Sequence, residues 1–188
     1  MITPNRLTYF RIVLAFFCPF LLLLNRSVAM DYWVMFFFTL ACVTDWWDGY
    51  LARKYSMVTG VGKLLDPIAD KVLILGLMLV FVYLGLYSFV WIFFILVREV
   101  AVTCTRLIRL QKGKVIPAEW VGKVKVGFQI TSVSISLIVL TYLDAHSEEP
   151  LPDFFSLLNF AHYGAIFLAN FFTITSGFLF FKRLARND

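Results

Sequence analysis

Long apolar runs separated by short polar breaks make up nearly the whole chain. The first, "LTYFRIVLAFFCPFLLLL", carries a single charge, Arg11, among aliphatic and aromatic side chains. A helix needs about 20 mostly apolar residues to cross a hydrocarbon core roughly 30 Å thick. Six runs meet that need: roughly Leu7–Leu24, Tyr32–Leu51, Pro67–Leu84, Leu86–Leu107, Val121–Leu143 and Phe154–Phe181. The pattern predicts an all-α integral membrane protein, with residues 1–188 forming one domain of six transmembrane helices. Thr3 before Pro4 reads as an N-cap followed by proline at the first helical position, so the first helix should start almost at the terminus. That run is not a cleavable signal: Arg11 interrupts it, no small-residue cleavage site follows, and five more spans come after it.

Composition strengthens this picture. The chain is 61% hydrophobic and 18% aromatic, with a mean hydropathy of +0.82, whereas soluble domains are about half apolar. A water-soluble fold could not hide so much apolar surface. Fourteen of the 17 Lys and Arg fall in four segments on one side of a six-span layout: the N-terminus to Arg11, residues 52–66, residues 106–125, and the tail from Lys182. The other side has Arg26 and an acidic last loop, "DAHSEEPLPD". The positive-inside rule then puts both termini in the cytoplasm. A formal charge of +5 needs no nucleic-acid partner, because cytoplasmic loops beside anionic lipid explain it. No Arg- and Ser-rich transit peptide is present, which points to a multi-pass protein of a bacterial-type inner membrane. Cys18, Cys42 and Cys104 lie in apolar spans, an odd number without CxxC spacing, and read as small packing residues.

Against this background "VTDWWDGYLARKYSMVTGVGKLLDPIADKV" is anomalous, with four carboxylates where the second and third spans meet. Residues three or four apart share a helix face. Asp45, Asp48, Gly49 and Ala52 therefore line one stripe, with Arg53 a turn beyond Gly49, and Gly62, Asp66 and Asp70 repeat every four residues. Pro67 is expected in the first turn of the third helix, where its missing N–H has no helical partner. A short connection at residues 54–61 would turn the two stripes toward each other at the cytoplasmic face. Ionised carboxylates at membrane depth are costly, and Arg53 and Lys71 are too few to neutralise four of them. One or two divalent ions with oxygen ligands, Mg²⁺ or Mn²⁺, solve the problem. Two such ions could clamp a diphosphate. Helix capping or lysine pairing accounts for one or two aspartates better than for four. An ion or proton pathway is the other functional reading, weakened because the acids cluster at one face.

The stretch also matches the pattern D-x2-D-G-x2-A-R-x8-G-x3-D-x3-D without departure. In this the chain resembles the CDP-alcohol phosphatidyltransferases, and its hydrophobic layout resembles their six-helix core. The resemblance implies a membrane enzyme, often a homodimer, that transfers a phosphatidyl group from CDP-diacylglycerol to an alcohol and releases CMP. It implies that Asp45, Asp48, Asp66 and Asp70 surround the metals, with Asp70 as the base for the attacking hydroxyl. Gly49, Ala52, Arg53 and Gly62 would accommodate the CDP portion.

A second polar set bears on the acceptor. Arg98, Thr105 and Arg109 lie close to one face of the fourth span, with Arg106 beside them, and Lys123 and Lys125 open the fifth. Because the fourth span runs inward, these cations approach the same membrane face as the aspartates. Arg98 sits deep in "WIFFILVREVAV" and should need an anion; Glu99, its neighbour, is expected to point elsewhere on the helix. A phosphate pocket suits arginine's fork, and a helix-borne acid is the structural alternative. An acceptor with its own phosphate indicates glycerol 3-phosphate, and "REV" and "WVGKVK" look like the branch of the family that uses it. Phosphatidylglycerol, as in a cardiolipin synthase, and an inositol phosphate are the competing acceptors. Asn5, Thr8 and Arg11 repeat every three residues and could line the site or simply anchor the first helix. His146 and His162 fall on or near the opposite side, away from any base role there.

Overall fold

The computed structural model describes residues 4–24, 26–55, 62–111, 120–146 and 152–186, with side chains described in them except at 4–9, 48–55, 62–70 and 110. Six helices occur in chain order: α1 (Pro4–Leu24), α2 (Val28–Tyr55), α3 (Gly62–Tyr83), α4 (Phe89–Gln111), α5 (Trp120–Ala145) and α6 (Asp153–Arg186). No strand occurs among the described residues. The helix count and order follow the predicted runs. Three helical stretches, Val28–Trp47, Trp120–Ala145 and Asp153–Arg186, are long and apolar enough to cross a membrane, while Phe10–Leu24 and Lys71–Tyr83 are shorter apolar stretches. α4 carries Arg98 and Glu99 near its middle and Arg106 and Arg109 toward its C-terminal end.

Boundaries moved where polar residues continue a helix past its apolar run. α3 opens at Gly62, so Pro67 is the sixth helical residue and lies beyond the first turn expected for it. The break between α3 and α4 is wider than expected. It turns at Gly85, whose φ of 78° is left-handed and suits a residue without Cβ. Thr3 and most of the connection at 54–61 lie outside the described residues.

The chain forms two compact units. The first holds Met1–Phe81 and Leu140–Pro150, and the second holds Val82–Val139 and Leu151–Asp188. In the first unit, Leu14, Ala15, Cys18 and Leu22 of α1 are buried, as are Val34, Phe38 and Ala41 of α2 and Leu73, Leu77 and Met78 of α3. These sets recur every three or four residues, so each helix buries one face. The opposite faces stay apolar: Val13, Phe16, Phe20 and Leu23 of α1 are exposed. A surface of this kind belongs against lipid rather than water. Cys104 is also exposed, so the packing role expected of the cysteines holds for buried Cys18 and not for it.

Two ion pairs fix the hand-over between helices of the first unit. Arg26, just before α2, donates from Nε to Asp144 Oδ2 of α5 at 3.1 Å and also pairs with the other carboxylate oxygen. Arg11 of α1 pairs with Asp45 of α2. Each joins the ends that an up-and-down order brings together. α1 and α3 approach closely at Gly76, where an added Cβ would lie 3.0 Å from Pro19 Cγ and 3.6 Å from the Ala15 carbonyl oxygen.

In the second unit α5 runs antiparallel to α4, and α6 parallel to it, with two buried polar layers. In one, the Tyr87 hydroxyl meets Ser132 Oγ at 2.6 Å and Ser136 Oγ at 2.5 Å. His162 stacks on the Tyr87 ring with centroids 5.0 Å apart. Its Nδ1 hydrogen-bonds Ser136 Oγ at 3.2 Å, and its Nε2 the Leu86 carbonyl oxygen at 3.3 Å. The other layer contains Arg98, Glu99, Lys125, Gln129, Thr173 and Ser176. Between them lie fully buried apolar residues such as Ile92, Ile95 and Val133.

Candidate functional site

Asp45 and Asp48 lie one helical turn apart near the C-terminal end of α2, followed on that helix by Gly49, Ala52 and Arg53. Gly62 opens α3, with Asp66 and Asp70 one and two turns later. All eight belong to the first compact unit. Asp45 is the one whose side chain is described. It is 47% exposed, and Arg11, 3% exposed, contacts one of its oxygens. A buried guanidinium beside the first signature carboxylate gives Arg11 a place at this site that its three-residue spacing alone left open. The side chains of the other seven lie outside the described residues, as do those of Asn5 and Thr8.

The cations expected to take an acceptor phosphate lie in the second unit. Arg98 and Lys125 are almost fully withdrawn, with side chains 10% and 5% exposed. Arg106 and Arg109 are half-buried and Lys123 is exposed. The Arg106 guanidinium lies over the Phe180 ring, 5.5 Å from its centroid. Its Nε is buried without a hydrogen-bond partner among the described residues. The Thr105 hydroxyl donates to the Ala101 carbonyl of its own helix at 2.8 Å.

Glu99 does not point elsewhere. Its Oε1 accepts from Arg98 NH1 at 3.2 Å and from Lys125 Nζ, and Gln129 Nε2 approaches it at 3.4 Å. The Cβ atoms of adjacent helical residues do diverge, but both side chains are long enough to bend back. In apolar surroundings an unpaired charge is far costlier than the bend. Gln129 Nε2 also donates to Thr173 Oγ1 at 3.2 Å, and Arg98 NH2 to Ser176 Oγ at 2.9 Å. Arg98 and Lys125 thus share one buried carboxylate, and Ser176 of α6 takes a second nitrogen of Arg98. The sequence showed the two cations but not these partners.

A family model described as CDP-alcohol phosphatidyltransferase matches residues 1–175. The chain is 39% identical to the "CDP-diacylglycerol--glycerol-3-phosphate 3-phosphatidyltransferase" of Bacillus subtilis (strain 168) over 78% of this chain and 70% of that protein. It is 32% identical to the protein of the same description in Rickettsia felis over 95% of this chain and 93% of that one. It is 46% identical to a "Probable phosphatidylglycerophosphate synthase" of Mycobacterium tuberculosis (strain ATCC 25618 / H37Rv) across 55% of this chain, a match spanning 48% of that protein.

Proposed function

The chain belongs to the CDP-alcohol phosphatidyltransferase family, and we propose that it transfers a phosphatidyl group from CDP-diacylglycerol to glycerol 3-phosphate, giving phosphatidylglycerophosphate and CMP. The observation that carries this reading is 32% identity, along 95% of the chain, to a protein named for that reaction, together with the complete aspartate signature. The acceptor hydroxyl oxygen bonds to the phosphatidyl phosphorus, and the bond from that phosphorus to the CMP oxygen breaks. Asp70 accepts the hydroxyl proton. Gly49, Ala52, Arg53 and Gly62 take the CDP portion.

Asp45, Asp48, Asp66 and Asp70 are a hard oxygen donor set, suited to Mg²⁺ or Mn²⁺. Asp45 fits that role, because its carboxylate stays half-exposed while Arg11 engages one of its oxygens. Two ions, when bound, would offset the diphosphate charge and stabilise the departing phosphate oxygen.

Arg98, Arg106, Arg109, Lys123 and Lys125 take the acceptor's own phosphate. The buried Nε of Arg106, lacking a protein partner among the described residues, supports this. All six helices cross a bacterial inner membrane as one domain. Both termini and the active site face the cytoplasm, where the basic segments lie, and the enzyme works as a homodimer.

The test is CMP release by purified protein with CDP-diacylglycerol and Mg²⁺ or Mn²⁺. Glycerol 3-phosphate, phosphatidylglycerol, inositol phosphate or no acceptor would be supplied in parallel. Release with glycerol 3-phosphate alone, abolished by EDTA, is the expected result. Release with phosphatidylglycerol would assign a cardiolipin synthase instead. No release, with metal or solute flux into vesicles, would assign a transporter.

A further inference from the structure

The Arg98 stem lies against α6 where that helix has no side chain. A Cβ built on Gly177 would stand 2.8 Å from Arg98 Cγ, 3.4 Å from Nε and 3.7 Å from Cδ. Carbon atoms pack best at about 3.5–4.0 Å, so a methyl there and the present course of the arginine exclude each other. The atom met first is the second carbon of the stem, which cannot step aside without carrying the guanidinium with it. By contrast, a Cβ at Gly122, Gly127 or Gly164 would meet nothing within 4 Å. Glycine inside a helix destabilises it relative to alanine, and at 177 the missing methyl makes room for a charged side chain.

Ser176, beside it and 1% exposed, completes the seat. Its Oγ–H donates to the Thr173 carbonyl oxygen at 2.9 Å, which turns a lone pair toward Arg98 NH2, also at 2.9 Å. Glu99 holds NH1 from the other side. The helix backbone at 177 therefore sets where the stem runs, while Ser176 and Glu99 set how the guanidinium plane is turned. A planar fork binds phosphate through paired N–H bonds only in a narrow range of orientations.

We propose that Gly177, with the Ser176 hydroxyl beside it, is a positioning residue for acceptor binding: α6 offers Arg98 a bare backbone seat that aims its guanidinium at the acceptor's phosphate. The proposal rests on the assignment of Arg98 to that phosphate. It predicts that a methyl at 177 acts on the acceptor alone, and only while the arginine is present.

The experiment measures KM for glycerol 3-phosphate and for CDP-diacylglycerol in detergent. It compares the wild type, Gly177→Ala, Ser176→Ala, Arg98→Ala and the double variant Arg98→Ala/Gly177→Ala. Gly177→Ala should raise KM for glycerol 3-phosphate by about tenfold or more, since a displacement near 1 Å can cost two orders of magnitude. KM for CDP-diacylglycerol should stay within about twofold, and the double variant should match Arg98→Ala within about twofold, the scatter expected of independent sites. An equal rise in both constants overturns the proposal. So does a Gly177→Ala effect that persists once Arg98 is gone. If Gly177→Ala does not fold, Ser176→Ala, which removes one oxygen, decides by the same selectivity for the acceptor. An unchanged acceptor KM in Arg98→Ala overturns the phosphate assignment itself; a raised one with an unchanged Gly177→Ala overturns only the seat.

Discussion

Arg11 and Asp45 form an ion pair between α1 and α2, with the arginine 3% exposed and the aspartate 47% exposed. The pair sets a buried charge against a half-exposed one. On the proposed reading its effect is on orientation, because a buried guanidinium engages one oxygen of a half-exposed carboxylate. Partners of this kind typically change metal affinity or activity by about 10–100-fold when removed. Arg11→Ala should raise the Mg²⁺ concentration for half-maximal CMP release by about tenfold, and Arg11→Lys should recover part of the loss. An unchanged Mg²⁺ titration would confine the pair to helix packing.

On the proposed mechanism, Asp70→Asn removes the base while leaving three carboxylates for metal. General-base catalysis contributes about 10²–10⁴ in rate, so CMP release should fall by at least about two orders of magnitude. Metal-dependent binding of CDP-diacylglycerol, followed by equilibrium binding in detergent, should largely survive. Loss of that binding as well would make Asp70 chiefly a metal ligand.

Glu99 and Lys125 are 3% and 5% exposed. Removing one member of such a pair leaves a buried charge uncompensated, at about 3–5 kcal/mol. Glu99→Gln should therefore lower the thermal midpoint of the protein in detergent. Glu99→Gln combined with Lys125→Met should regain much of the loss, since it removes both charges of the pair. A double variant no more stable than Glu99→Gln would place the Glu99 contribution with Arg98 and Gln129 instead.

Tyr87→Phe should destabilise without touching the kinetics. The phenol hydroxyl meets Ser132 and Ser136 in a buried layer, and stranding such partners costs about 1–3 kcal/mol. The thermal midpoint should fall while both Michaelis constants remain at their wild-type values. A change in either constant would connect this layer to substrate binding.

The helices were legible because each is a long apolar run bounded by polar breaks, and the aspartates because charge in such surroundings demands a reason. Less legible were the ends: α2 starts at Val28, ahead of the expected Tyr32, where the Ser27 Oγ accepts from the Met30 N–H at 3.4 Å and caps the first turn. The brace around Arg98 was hidden for two different reasons. Glu99 was set aside by a spacing rule that describes Cβ directions and not the reach of long side chains. Thr173 and Ser176 look like any hydroxyl residue in an apolar helix. Thr39, Thr44 and Thr131 simply return a hydrogen bond to their own backbone, and only contact across helices separates the two kinds.

At Gly76 the backbone of α3 lies against the Pro19 ring so closely that a methyl group would press on it. Asp70 is six residues away on the same helix, about 9 Å along the axis. A side chain much larger than alanine's at 76 has to displace the Pro19 ring or roll α3, and a helix that rolls carries all its residues with it. The register of two acids in a lipid-making enzyme depends in part on the fit of one hydrocarbon ring against a bare turn of helix.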